Sequence, residues 1–306
     1  FTFQNVSGVS HDDERKRLGV LMSLLSEECD GVITCPDAAA QYTIPQYALA
    51  DATLSIRTGK SISIESCVKS LTLLGYERCD AIEGEGQFSL RGGILDFFPP
   101  GTDNPVRAEF WGDEVDSLSY FDIISQRRTD TIACVTLCPS SEVIISDRDE
   151  LAKKIEKKAS YLKAESSKKA KEVLYSEAER IKQGLYLSNK DKFIHLVYEE
   201  TATLFDYIDD SFITFISKHT AVKDRIAGTE FRFSEDMPEY FADGTLCRGF
   251  DKYALNWDEA VNRFSHNKLV YLDNFAHGSY ELPLKALGNF NLRLLPPFSG
   301  QIATLV

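Results

Sequence analysis

Residues 86–100 read GQFSLRGGILDFFPP and residues 105–117 read PVRAEFWGDEVDS, and these two stretches decide how the middle of the chain folds. Gln87–Leu90, Ile94–Phe98, Val106–Phe110 and Val115–Tyr120 are short runs rich in aromatic and β-branched residues, the composition of strands. Gly92-Gly93, Pro99-Pro100-Gly101 and Gly112-Asp113 separate them, and such residues supply the positive or fixed φ of tight turns. Leu95 and Phe97 alternate with Ile94, Asp96 and Phe98, so one set faces a core and the other faces away. A small antiparallel sheet is predicted. The alternation also predicts that either Phe97 or Phe98 is exposed.

Upstream, Ile64, Val68, Leu71 and Leu74 form one apolar stripe, which predicts a helix capped by Ser61 or Ser63 and ended by Gly75. This helix packs on the sheet, giving an α+β domain at residues 46–130. Residues 11–28 read as a helix through Leu18, Leu21, Met22 and Leu25, and residues 31–35 as a short buried strand stopped by Pro36. Residues 131–138 form a β-rich crossing, and residues 149–182 a charged helix or helix pair with a narrow apolar stripe. Further helical or loop segments are predicted near 198–207, 219–225 and 257–264. Residues 211–216 and 268–272 suit two buried parallel strands, and 291–299 a proline-interrupted extended segment. The predicted organisation is an α/β domain split between residues 1–45 and 131–306, carrying the small domain as an insertion.

Composition narrows the function classes. Hydrophobic residues make up 43% of the 306 and charged residues 26%, as in ordinary globular chains. No apolar run approaches the ~20 residues of a membrane span. The net charge of -13 disfavours binding to nucleic acid by bulk electrostatics. Seven scattered cysteines without a C-x-x-C pair point to a reducing cytoplasm. An opening Phe1 suggests a piece of a longer protein. Gly59-Lys60-Ser61 mimics a phosphate loop, but Leu54 stands where the motif requires glycine. Five histidines lack ligand spacing, and Asp113, Glu114 and Asp116 read as a solvated turn, so no metal or cofactor is expected.

The arginines carry more information. Arg78, Arg91 and Arg107 are isolated donors in an acidic field, suited to pairing with carboxylates of another protein. The competing reading pairs Arg107 with Glu109, two residues along one strand, and satisfies Arg78 and Arg91 inside the domain as well.

Tyr76-Glu77-Arg78, the run 88–99, the run 106–117 and residues 121–128 (FDIISQRR) resemble the second domain shared by the excision-repair helicase UvrB and the bacterial transcription-repair coupling factors, the latter more closely. Residues 200–207 and 255–259 extend the resemblance over nearly the whole chain. It implies a degenerate, RecA-like P-loop helicase domain, split in sequence, with an inserted UvrA-interaction domain. It assigns Arg78, Arg91, Phe97 or Phe98, Arg107 and Glu109 to UvrA contact. Ser217 and Lys218 stand where an active relative carries Asp-Glu, and Asp273-Asn274 where it carries Ser-Ala. The resemblance therefore implies a non-hydrolysing module. ATP and magnesium, RNA polymerase and double-stranded DNA would be handled by other domains of a longer translocase. The alternative is a piece of an active UvrB-type helicase.

Overall fold

The computed structural model describes residues 3, 10–185, 187–266, 268–275 and 278–290; the extended segment predicted at 291–299 lies outside them. Helices α1 (Asp12–Leu25), α2 (Pro36–Ala40) and α3 (Gln46–Asp51) lead into strand β1 (Leu54–Arg57) and helix α4 (Ile64–Leu73). Then come β2 (Glu77–Arg78), β3 (Gln87–Arg91), β4 (Ile94–Phe97), β5 (Val106–Trp111), β6 (Glu114–Phe121), β7 (Arg128–Ile132) and β8 (Cys134–Leu137). The rest comprises α5 (Arg148–Tyr161), α6 (Lys168–Lys182), α7 (Ile194–Val197), β9 (Ile213–Ser217), α8 (His219–Asp243), α9 (Trp257–Phe264) and β10 (Lys268–Leu272). The fold is mixed α/β, with an inserted subdomain of mostly antiparallel strands.

The inserted sheet runs β2-β3-β4-β5-β6-β7, parallel between β2 and β3 and antiparallel elsewhere. Leu95 lies opposite Leu90 and Ala108, and Phe97 opposite Phe88 and Val106. These residues form one core with Cys67 and Leu71 of α4, each fully buried large side chain contributing about 1.5–3 kcal/mol. The Ser63 side chain caps α4 by accepting from the Ser66 N–H at 3.2 Å. The charged stretch after residue 147 resolves into a helix pair, α5 and α6, starting at an Asp147 cap.

Residues 31–35 correct the sequence reading: they form no strand, and Ile33 is fully exposed. Among the described residues no strand runs alongside to take their backbone groups, so the apolar run alone does not suffice. β9 and β10 do pair in parallel, but their burial is one-sided. Ile216, Leu269 and Tyr271 pack towards α8 and α9, whereas Ile213, Phe215, Val270 and Leu272 stay exposed.

The inserted subdomain joins the body through two strands and α1. β1 pairs antiparallel with β8, placing Leu54 beside Leu137, so the chain enters and leaves the insertion at one point. Gly19 of α1 backs onto Gly101 of the β4–β5 loop; a Cβ on Gly19 would stand 2.7 Å from the Gly101 Cα. Beside this contact α1 grips the returning chain. The Glu14 carboxylate accepts from the Ser141 hydroxyl at 3.0 Å and the Glu142 N–H at 2.7 Å. Arg15 donates to the Ser140 hydroxyl, and Arg17 lies 3.3 Å from the buried Glu142 carboxylate.

Burial pushes the Glu142 carboxyl up to about 7, against the opposing pull of Arg17. His11, hydrogen-bonded to Glu14, is raised. Burial would raise Glu14 too, but the His11 bond and other partners hold it below the usual carboxylate value. Folding thus takes up a proton at Glu142 between its unfolded value near 4.5 and about 7, so stability falls as pH rises through that window. His11 acts in the same direction above its unfolded value, while the Glu14 contribution is present above its own and is lost only in acid. Urea unfolding is expected to show a loss on the order of 2 kcal/mol from pH 5 to pH 7.5, and Glu142→Gln is expected to flatten that slope. An unchanged slope in the variant would show that Glu142 is not the titrating group.

Candidate protein-interaction surface

The sheet face turned away from α4 begins with an unusual residue for a strand centre. Asp96 is 1% exposed, and a carboxylate so placed requires charged or hydrogen-bonding partners. The register supplies them. Asp96 lies opposite Arg107 on β5, whose Nε and one terminal nitrogen donate to its two oxygens at 2.7 and 2.9 Å. Arg91, at the end of β3, donates to the same carboxylate at 2.6 Å. One carboxylate between two guanidiniums leaves a residual positive charge on this face. The Arg107 guanidinium also lies 4.5 Å over the Phe121 ring and reaches the Gln126 carbonyl at 3.2 Å. The hydrogen bonds to Asp96 hold the Arg107 pKa above its ordinary value, with burial working against them.

The face has two halves. On one, Phe98 and Phe121 cluster with Ile82 under the 79–84 segment. On the other, the arginines open to solvent. Arg78, Cys79, Asp80, Ser89, Leu90 and Arg91 line a shallow depression of about 540 Å³. Arg78, at the end of β2, is exposed. The Arg91 side chain keeps 51% exposure despite its bond to Asp96, so about half of it stays open to solvent.

Two expectations about this surface are corrected. Neither Phe97 nor Phe98 is exposed, at 0% and 8% respectively. Alternation does send them to opposite faces, but α4 covers one and the 79–84 segment covers the other. Arg107 and Glu109 do not pair. Residues two apart on a strand stand farther apart than cross-strand neighbours, so Arg107 takes Asp96 while Glu109 takes Arg128 of β7 and the Ser117 hydroxyl. Sequence reasoning missed Asp96 and Gln126. A lone carboxylate within Ile94–Phe98 was the available signal for the first; Gln126, at φ 59, carried none.

The other singled-out residues lie in the body. Ser217 ends β9, and Lys218 adopts φ 57 ahead of α8. The Lys218 N–H donates to the Leu272 carbonyl at 2.9 Å. Asp273 accepts from the His219 N–H at 2.8 Å and from the Tyr280 hydroxyl at 3.0 Å. Asn274 follows in the same loop.

A protein-family model described as the UvrB interaction domain matches residues 54–143. The chain is 26% identical to the transcription-repair-coupling factor of Bacillus subtilis over 299 residues, covering 95% of this chain and 25% of that protein. It is 28% identical to the Staphylococcus aureus factor over 260 residues, 81% of this chain and 21% of that one. It is also 32% identical over 143 residues to UvrABC system protein B of Campylobacter hominis, 46% of this chain and 22% of that protein. The chain spans about a quarter of the length of the coupling factors it matches. Residues 54–143 are thus a UvrB-related domain in a chain similar to transcription-repair-coupling factors.

Removing the central carboxylate would strand a half-buried guanidinium. Asp96→Ala is expected to cost about 3–5 kcal/mol in urea unfolding, because breaking a buried pair leaves an uncompensated charge. A loss below ~1 kcal/mol would mean that solvent readily replaces Asp96.

Proposed function

We propose that the inserted sheet is a protein-docking module whose partner is UvrA, the damage-recognition protein of nucleotide excision repair. The observation that carries this reading is the convergence of Arg78 and Arg91 on one open depression, within the stretch matched by the UvrB interaction domain. Guanidinium forks held on strand ends are suited to bidentate pairing with a partner's carboxylates. Arg107 and Glu109, engaged inside the sheet, support the face rather than offer free contacts, and Phe97 and Phe98 act as its packing.

The body is proposed to be a split, degenerate helicase-like scaffold that does not hydrolyse ATP. Magnesium-dependent hydrolysis needs carboxylates at the end of the β9 strand, and Ser217 and Lys218 stand there. The α8 N-terminus, where a phosphate could otherwise sit, is already capped by Asp273. The longer protein is proposed to be a transcription-repair coupling factor that recruits UvrA to RNA polymerase stalled at damage. Its contacts with polymerase and double-stranded DNA, and its use of ATP, would belong to other domains. A cytoplasmic setting accords with this reading, and no helix among the described residues is long and apolar enough to cross a membrane.

The test combines Arg78→Glu with Arg91→Gln. Glutamine at 91 avoids placing a second carboxylate against Asp96, and Arg107 still holds that residue. Calorimetric affinity for UvrA is expected to fall about a hundredfold, ~3 kcal/mol, with the circular dichroism spectrum unchanged. Unaltered affinity would overturn the assignment.

A further inference from the structure

Trp111 lies on the arginine face but plays no part in its ion pairs. It ends β5, and alternation puts it on the same side as Arg107 and Glu109, the bulge in this pairing falling on β6 at Asp116. The residue is 84% exposed, although tryptophan is highly buried on average. The backbone presenting it is held from both sides. The Phe110 N–H donates to the Gly93 carbonyl at 2.8 Å, tying the β5–β6 tip to the β3–β4 turn that begins at Arg91. On the other side, Ile62 donates to the Asp113 carbonyl and Gly59 to the Val115 carbonyl, each at 2.8 Å. Gly112, at φ 62, closes the turn.

We infer that Trp111 is the apolar anchor of the docking face and inserts into a recess on the partner protein. The inference rests on the docking reading above and adds to it the residue that supplies most of the apolar contact. A large, rigid aromatic beside arginines on a pre-ordered backbone loses little conformational freedom on binding and can bury a large area. The surrounding charge specifies the class of partner. Asp113, Glu114 and Asp116 flank the tip on one side, while Arg78 and Arg91 lie on the other. Asp113, Glu114 and Asp116 outnumber Lys60, which the 59–62 segment brings to the same tip, and this excess of carboxylates repels nucleic acid and anionic lipid. The complementary surface is a protein with an apolar recess, basic groups facing the tip and carboxylates facing the arginines.

The test is calorimetric titration of UvrA with the 306-residue chain carrying Trp111→Ala, Trp111→Phe or Arg78→Glu. Trp111→Ala is expected to weaken binding by about tenfold or more and Trp111→Phe by only about threefold, both with an unchanged melting temperature, since the exposed ring buries little in the free chain. Loss of affinity in Arg78→Glu but not in Trp111→Ala would overturn the anchor and leave the docking face standing. No loss in either variant would remove the docking face and the anchor with it. Parallel titrations with single-stranded DNA and anionic vesicles complete the test. Trp111-dependent binding to either of those, in place of UvrA, would also overturn the inference.

Discussion

A single buried carboxylate organises the inserted sheet. Asp96 sits where β4 would otherwise carry an apolar residue, and its charge is tolerated because Arg107 and Arg91 converge on it. The pairing fixes the register of three strands, since a slip by one residue would send Asp96 into the apolar core under α4 and Phe97 to the charged side. It also tethers Arg91 while leaving about half of its side chain in water. A cationic group that would otherwise sweep a wide volume is thereby aimed, and less conformational entropy remains to be lost on binding. Phe121 extends the same logic, flanking Arg107 from beneath.

The body holds this platform at one joint. α1 is the main hand: Glu14, Arg15 and Arg17 grip residues 140–142, and Gly19 meets Gly101 so closely that neither position has room for a side chain. The Tyr198 hydroxyl joins the grip, donating to the Glu142 carbonyl at 2.9 Å and accepting from the Ile144 N–H. Orientation of the arginine face relative to the body is therefore governed by a small polar cluster at one joint.

Much of the sheet was legible because it obeys local rules. Strand alternation, the glycine-marked turns and the Ser63 cap name β3 to β6 and α4 almost residue by residue. β2 and β7 escaped because strands so short or so polar carry no periodic signal; they exist through the partners that the central strands offer. Residues 31–35 failed in the opposite sense, having strand composition but no ladder to join. At the surface, the exposure of Arg78 and Arg91 followed from charge, whereas the burial of Phe98 depended on the distant Ile82 and Phe121. The exposure of Trp111 was likewise hidden, since nothing in the residue string tells an exposed tryptophan from a core one. The carboxylate triangle needed strand register, which a sequence specifies only indirectly.

The side-by-side placement of Leu54 and Leu137 bears on the order in which the chain can fold. Contacts between α1 and residues 140–142 span well over a hundred positions, a long loop to close from an unfolded chain. Once β1 and β8 have paired within a formed insertion, the intervening segment no longer counts as free chain. The loop that the body must close then shortens to about a third, easing its entropic cost by about 1 kcal/mol. The body thus gains from waiting: an insertion that folds first acts as its own clasp and leaves a much shorter span to close.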